Sequence, residues 1–321
     1  MTFLRWCSGI LAIATIALVP APGVAQAQAP LISLTVGGVF SDDMTPIFYA
    51  EKAGYFRREG LDVNLVPATS GSAMAAAVIA GTYQFGKASL LSVVNAHLKQ
   101  IPLDVVAAGA TYDSKVPFAA MCVANDSPIV TGTDLNGKTV GTPALNDLNE
   151  LVIDAWVDQR GGDYTTLHNV ELPLAVAADA LAQRRVDASV LMQPKLADAL
   201  AEKQVKSLGN AYDAIAPHFV FAAYFASSDY AEKHPDIVAK FVRALYAAAA
   251  YTNAHHDATA AMMADVTKVP LPVIERMPRV DGATATVAAD FQPIIDKAAK
   301  YHMIPHGFPA HDMLVHAPDV K

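Results

Sequence analysis

The sequence predicts an α/β chain of two lobes, each an open mixed sheet flanked by helices. Three observations carry this. Apolar, β-branched runs alternate with amphipathic helical stretches, the alternation restarts after Gly137, and a mainly helical stretch follows residue 226. The chain has 321 residues, of which 53% are hydrophobic and 17% charged, enough apolar side chains for a core in each lobe. A disordered chain has the opposite balance.

The N-terminus reads as a secretory leader over residues 1–29. Arg5 precedes an apolar run at 10–19. Pro20, Pro22 and Gly23 follow, then two overlapping small-residue sites, Ala25-Gln26-Ala27 and Ala27-Gln28-Ala29. The apolar run is too short to span a bilayer as a stable helix. Cys7 lies before that run and not at the cleavage point, so no lipid anchor is expected. Cleavage leaves Cys122 alone in an apolar run at 118–123, where it reads as a small core residue and not a nucleophile. The leader predicts a periplasmic protein. No later run approaches the roughly 18 apolar residues that membrane insertion needs. The formal net charge of −8 argues against nucleic acid, which selects a basic face.

The elements follow in order. Residues 31–39 form a strand, and Ser41-Asp42-Asp43 a polar loop. Thr45 caps a helix with Pro46 in its first turn, and that helix stops near Gly54. A strand at 61–66 leads to the turn Thr69-Ser70-Gly71-Ser72. This turn opens a helix with Met74, Ala77 and Val78 at helical spacing and Gly81 as its stop. A short strand at 83–85 ends at Gly86, a helix covers 89–99 and a strand 103–107. After the turn Asn136-Gly137 comes a strand at 138–141. In the helix at 146–160, Leu148, Leu151, Val152, Ala155 and Trp156 share one face. Strands at 170–172 and 186–191 alternate with helices at 175–183 and 194–202. The longest helix starts at Pro235. Runs 112–123 and 219–226 are expected to carry the chain out and back. That makes 30–113 and 226–321 the first lobe and 114–225 the second.

In open α/β sheets, ligands bind beyond the carboxyl ends of the strands, where helix N-termini also attract negative groups. This rule selects Ser41, Asp42 and Asp43; Thr69, Ser70 and Gly71; Ser89 and Leu90; Asn146 and Asp147; and Gln193. Each alone suits a helix cap better than a ligand contact. As a set they matter because the fold would bring the turns to one cleft. Phe40, Tyr112, Phe219, Phe221 and Tyr224 fall near that cleft, each taken singly better suited to the core. Lys87 and Lys195 lie close by, free to point outward. None of these loops contains an arginine. A strongly charged dianion therefore fits less well than a ligand held by hydroxyls, amides and helix N-termini.

The segment PIFYAEKAGYFRREGLDV at 46–63 is the most specific. Its Ala50, Glu51, Gly54, Tyr55, Phe56, Glu59, Gly60, Leu61 and Val63 match A-E-x-x-G-[YFW]-F-x-x-E-G-L-x-V. Further matches follow in order. They are Ser70-Gly71, Ala80-Gly81 with Gly86, the run from Asp134 to Pro143, and Ala180-Leu181 with Val186-Asp187-Ala188. The chain thereby resembles the nitrate/sulfonate/taurine-type periplasmic substrate-binding proteins of ABC importers, a family that includes pyrimidine-precursor-binding proteins. The resemblance implies a two-lobed periplasmic-binding-protein fold of type II. It also implies a monomer that captures a small organic solute (a sulfonate, an aromatic acid or a heterocycle) by hinge closure and delivers it to ABC permease transmembrane subunits. No cofactor and no metal are implied. Met192-Gln193-Pro194 departs from the family's aromatic-acid-proline triplet, which puts a cationic ligand in doubt.

Two rivals stand beside this reading. One is an enzyme on the same fold, such as a pyrimidine-precursor synthase. The absence of HExxH, G-x-S-x-G and P-loop patterns, together with the leader, gives the expectation of no enzymatic activity. The other is a metal-binding protein using His302, His306, His311 and His316, or His255-His256. Their spacing matches no compact zinc motif.

Overall fold

The computed structural model describes Thr2 and residues 30–68, 71–314 and 317–318. The expected leader, Thr2 apart, lies outside the described residues, as do Thr69, Ser70 and His316. The first part of the chain forms β1 (Ile32–Gly38), α1 (Thr45–Lys52), α2 (Tyr55–Arg58), β2 (Leu61–Pro67), α3 (Gly71–Ile79), β3 (Phe85–Ser89), α4 (Leu90–Leu98) and β4 (Leu103–Asp113). The middle forms β5 (Ala119–Ala124), β6 (Thr139–Thr142), α5 (Leu148–Gln159), β7 (His168–Glu171), α6 (Leu174–Ala182), β8 (Ala188–Met192), α7 (Lys195–Ala201) and β9 (Val205–Asn210). The rest forms β10 (His218–Ser227), α8 (Ser228–Lys233), α9 (Pro235–Ala254), α10 (His256–Thr267), α11 (Leu271–Ile274), β11 (Asp281–Gly282) and α12 (Ala288–Lys300).

Two mixed sheets result, as the sequence predicts. The first has the order β11-β4-β10-β3-β1-β2, the second β7-β6-β8-β5-β9. β1, β2 and β3 run parallel, as do β6, β7 and β8, because each is followed by a helix that returns the chain across a face. β1 pairs with β2 in register from Ile32↔Leu61 to Gly38↔Pro67, and its Leu34 and Val36 are buried. At the end of α1 the chain must turn sharply. Gly54 takes φ +74°, the left-handed conformation that glycine tolerates without a Cβ penalty. α2 can then begin and bury Phe56, which stacks on Phe241 of α9 at 5.5 Å; Phe241 stacks in turn on Phe85 of β3 at 4.2 Å. These rings pin the long helix to the first sheet. In the second sheet's layer, Trp156 of α5 is fully buried, with the Arg160 guanidinium 4.2 Å from its ring centroid.

The chain crosses between the sheets twice, side by side. β4 and β10 pair antiparallel from His218↔Asp113, and the Ser114 N–H donates to the Pro217 carbonyl at 2.9 Å. An aromatic cluster lies at this crossing. Tyr112 packs 5.4 Å from Phe219 and Phe118 5.1 Å from Tyr212, while the Tyr112 hydroxyl donates to Asp213 at 2.6 Å. Burial, then the Asp213 bond, push the Tyr112 phenol well above its ordinary value.

Three expectations change. Run 112–123 is not one crossing strand. β4 extends to Asp113, and β5 starts at Ala119 after a turn. The expected return run 219–226 lies within β10, which pairs with the first sheet along its length from His218 and is thus a strand of that sheet as well as a crossing. β9 escapes the sequence pattern because VKSLGN shows neither an apolar run nor clean alternation; it is an edge strand held by backbone pairing to β5.

Cys122 is buried in β5, and burial pushes its thiol up to about 12, which suits a core residue. No helix among the described residues is long and apolar enough to cross a membrane.

Candidate functional site

The parallel strands of the two sheets end at loops that face one another. β1 and β3 supply the loops of one side, β6 and β8 those of the other. Between them lie two adjoining cavities of about 320 and about 170 Å³, which share Ser41, Leu174 and Met192 as walls and so form one cleft. This is where ligands bind in open α/β sheets.

The adjacent carboxylates after β1 diverge and take different partners. Asp42 turns into the protein. Its Oδ1 accepts from Arg279 Nε at 2.6 Å and its Oδ2 from the Val280 N–H at 2.8 Å. Arg279 also donates to Thr45 Oγ1 at 3.1 Å, and Thr45 Oγ1 donates to the Asp42 carbonyl at 2.7 Å. Burial pushes the Asp42 carboxyl above its ordinary value, while the Arg279 charge pulls it back. Asp42 reaches the wall of the larger cavity, but both of its oxygens are committed. It anchors the β1 loop to the segment before β11.

Asp43 turns into the cleft. Its Oδ2 accepts from Lys87 Nζ in a short ion pair, and its Oδ1 accepts from the Ser41 hydroxyl at 2.5 Å. Lys87 lies on β3 and its side chain is only 6% exposed, so it points inward, against the outward direction left open for it. The Lys87 stem has room because Gly109 lies alongside. A Cβ there would meet Lys87 Cε at 3.4 Å and the Ala222 carbonyl oxygen at 2.9 Å.

Ser89 ends β3 and caps α4, accepting from the Ser92 N–H at 3.2 Å. Its own proton goes across the cleft to Asp147 Oδ1. Leu90 is fully buried in the core and offers nothing to the cleft, because the first turn of α4 faces inward there. Asn146 is exposed and lines neither cavity. It takes φ +56°, and its N–H donates to Glu150 Oε2 at 2.6 Å, which fixes the entry into α5. Gln193 lines the larger cavity, and its Oε1 accepts from the Ala197 N–H at 3.2 Å, so it caps α7. Gly71 opens α3; its neighbours Thr69 and Ser70 lie outside the described residues. Of the aromatic candidates, Phe40 and Phe221 line the cavities. Tyr112, Phe219 and Tyr224 are core.

Sequence reasoning missed Asn149 and Tyr212, which line the smaller cavity with Lys87. The Tyr212 hydroxyl donates to Asn149 Oδ1 at 3.1 Å. Burial, then the charges of Asp147 and Asp43, push the Tyr212 phenol well up, so it remains a donor. Asn149 was legible as a polar residue two positions after the capping pair. Tyr212 carried no local signal. Among the described residues, which leave out His316, no three His, Cys, Asp or Glu side chains converge as ligands.

The family model described as NMT1/THI5 like matches residues 41–259. The chain belongs to the NMT1/THI5-like family. That bears out the resemblance to the nitrate- and sulfonate-type binding proteins and their pyrimidine-precursor relatives. Among curated relatives of this NMT1/THI5-like chain, 4-amino-5-hydroxymethyl-2-methylpyrimidine phosphate synthase of Schizosaccharomyces pombe is 22% identical over 63% of this chain and 60% of its own length. The formylaminopyrimidine-binding protein of Halalkalibacterium halodurans is 25% identical over 62% of this chain and 59% of its own. The chain thus spans about three-fifths of the length of these relatives. The crystal structure of the periplasmic aliphatic sulphonate binding protein SsuA of Escherichia coli superposes with a TM-score of 0.72, over 90% of this chain and 94% of that one, at 21% identity. At that identity the likeness establishes the fold, which is that of the periplasmic binding proteins.

One expectation falls here. The sequence reading held the chain to be no enzyme, but the relatives it matches include proteins named as phosphate synthases. The missing motifs are signatures of particular hydrolase and nucleotide chemistries, and their absence says nothing about synthase-type chemistry on this fold.

Proposed function

We propose that this NMT1/THI5-like chain captures a small heterocyclic solute of the aminopyrimidine type in the cleft between its two sheets. In this reading the lobes close about the paired crossings, and the closed form delivers the solute to ABC permease subunits from the periplasm. Ser41, Asp43, Ser89, Asp147 and Gln193 are the expected site residues kept in it, joined by Lys87, Asn149 and Tyr212. The observation that carries the proposal is the cleft itself, walled by residues of both sheets and spanned by the Ser89–Asp147 hydrogen bond. A ligand held by both walls favours the closed arrangement through its differential affinity, which is what hinge capture requires. The likeness to the formylaminopyrimidine-binding protein of Halalkalibacterium halodurans supports a formylated aminopyrimidine as the solute.

The test is the thermal stability of the protein against a panel. The panel holds formylaminopyrimidine, 4-amino-5-hydroxymethyl-2-methylpyrimidine, ethanesulfonate and nitrate, and bound ligand is recovered for mass spectrometry. A true ligand at about 100 times its Kd stabilises the folded form by roughly 2.7 kcal/mol. Stabilisation by a pyrimidine, with the ligand recovered unchanged, supports capture. A ligand recovered chemically altered gives the site a reaction and replaces delivery with synthesis. Stabilisation by none of the four defeats the proposal.

A further inference from the structure

We infer that the Lys87–Asp43 pair sets the charge class of the ligand: the cleft selects an uncharged ring that carries hydrogen-bond acceptors and rejects sulfonates and phosphates. The inference rests on the proposed capture of a small solute at this site and adds what the site reads.

The charges of the cleft cancel where the ligand would lie. Lys87 is the one cationic group of the smaller cavity's wall among the described residues, and Asp43, 15% exposed, is its immediate counter-ion. In the adjoining cavity Asp42 is balanced by Arg279, and Lys195 is exposed at the margin. Asp147, bonded to Ser89 and Ser92, adds negative charge at the far wall. An anion entering here meets no net positive field. It would have to lose its hydration against a cation already neutralised, and with two carboxylates close by.

What the cleft does offer is directed donors. An ammonium has three N–H groups. Asp43 takes one, and among the described residues the other two have no partner, although the side chain is 6% exposed. Asn149 is held by its oxygen to Tyr212, which turns its NH₂ end away from that bond; among the described residues that nitrogen has no partner. Phe221 and Met192 supply an apolar wall for a ring. Ring nitrogens and carbonyl oxygens of a neutral heterocycle satisfy these donors. Asp43 also has a free lone pair beside Lys87 that can take an exocyclic N–H.

Isothermal titration of the full chain with two probes at pH 8, uncharged cytosine and ethanesulfonate, tests this. The wild type is expected to prefer cytosine by about tenfold or more, and Lys87→Met to lose cytosine affinity by about the same factor. Asp43→Asn strips Lys87 of its counter-charge, so ethanesulfonate affinity rises by about tenfold while cytosine gains nothing. Circular dichroism establishes that each variant is folded, and the wild-type preference is a readout that needs no variant. A wild type that prefers ethanesulfonate overturns the charge inference alone and leaves solute capture standing. So does a folded Asp43→Asn whose preference is unmoved. A wild type that binds neither probe overturns the charge inference, and solute capture falls with it when the stability panel also gives no ligand.

Discussion

Ser89 of the first sheet donates its hydroxyl hydrogen to Asp147, the residue that opens α5 over the second sheet; Ser92, one turn along α4, reaches the same carboxylate oxygen at 3.2 Å. Asp147 makes no side-chain bond to its own helix, although an aspartate at that position ordinarily caps it. The carboxylate is spent across the cleft, where it ties the two sheets together. Its charge still favours the N-terminus of α5.

Asp147→Ala removes this bridge and leaves both walls otherwise intact. A hydrogen bond to a charged group contributes about 1.5–3 kcal/mol, enough to move a two-state hinge equilibrium by about tenfold or more. The radius of gyration of the unliganded variant, from small-angle scattering, is therefore expected to exceed that of the wild type. Equal radii would show that the bridge does not hold the cleft closed.

Asp42→Ala leaves Arg279 buried with no counter-charge, at 5% side-chain exposure. Removing one partner of a buried pair costs about 3–5 kcal/mol because the remaining ion keeps its desolvation penalty. Urea denaturation is expected to show an unfolding free energy lowered by that amount. Asp42→Asn, which still accepts from Arg279 and Val280, costs less. A loss of ligand affinity without loss of stability would return Asp42 to the binding site.

These two aspartates show what the sequence could and could not disclose. Ser41, Asp43, Ser89 and Gln193 were legible as polar residues in strand-to-helix turns, because backbone chemistry places such residues there whether or not a ligand binds. The division of labour between Asp42 and Asp43 was not legible. It depends on Arg279, which is 237 residues away in the chain and reaches Asp42 only through the fold. Lys87 was misjudged because Gly86 read as the end of a strand that in fact runs on to Ser89. In that register Phe85, Lys87 and Ser89 share a face, and a lysine on a buried face needs a partner. Tyr212 lies in a short 3₁₀ turn with no periodicity to mark it.

Asp154 of α5 makes stability fall with rising pH. Burial, then the charge of Glu150, raise its carboxyl from the ordinary 3.8 to about 7, with Asn169 pulling the other way. Asp154 Oδ1 and Asn169 Oδ1 are both buried and, among the described residues, without a hydrogen bond. A folded-state value above the unfolded one means that folding retains the proton. The favourable contribution is complete below 3.8 and is lost as pH rises to about 7, above which the loss is constant. Asp154→Asn is therefore expected to stabilise the protein by about 2 kcal/mol at pH 8 and by nearly nothing at pH 4. An equal effect at both pH values, in urea titrations, would exclude ionisation as the cause.

Tyr212→Phe deletes one hydroxyl whose described role is to hold Asn149. The ring remains in its aromatic cluster and Asn149 is partly exposed, so its released oxygen can turn to water. Stability should fall by only about 1 kcal/mol. Ligand affinity should fall further than that loss alone implies, by about three- to tenfold, because the Asn149 donors are no longer aimed. The decisive comparison is with Asn149→Ala and the double variant. If Tyr212 acts through Asn149, the two losses in affinity do not add, and the double variant binds no worse than Asn149→Ala. Additive losses would mean that Tyr212 meets the ligand itself, a contact for which the smaller cavity, walled by both residues, has room.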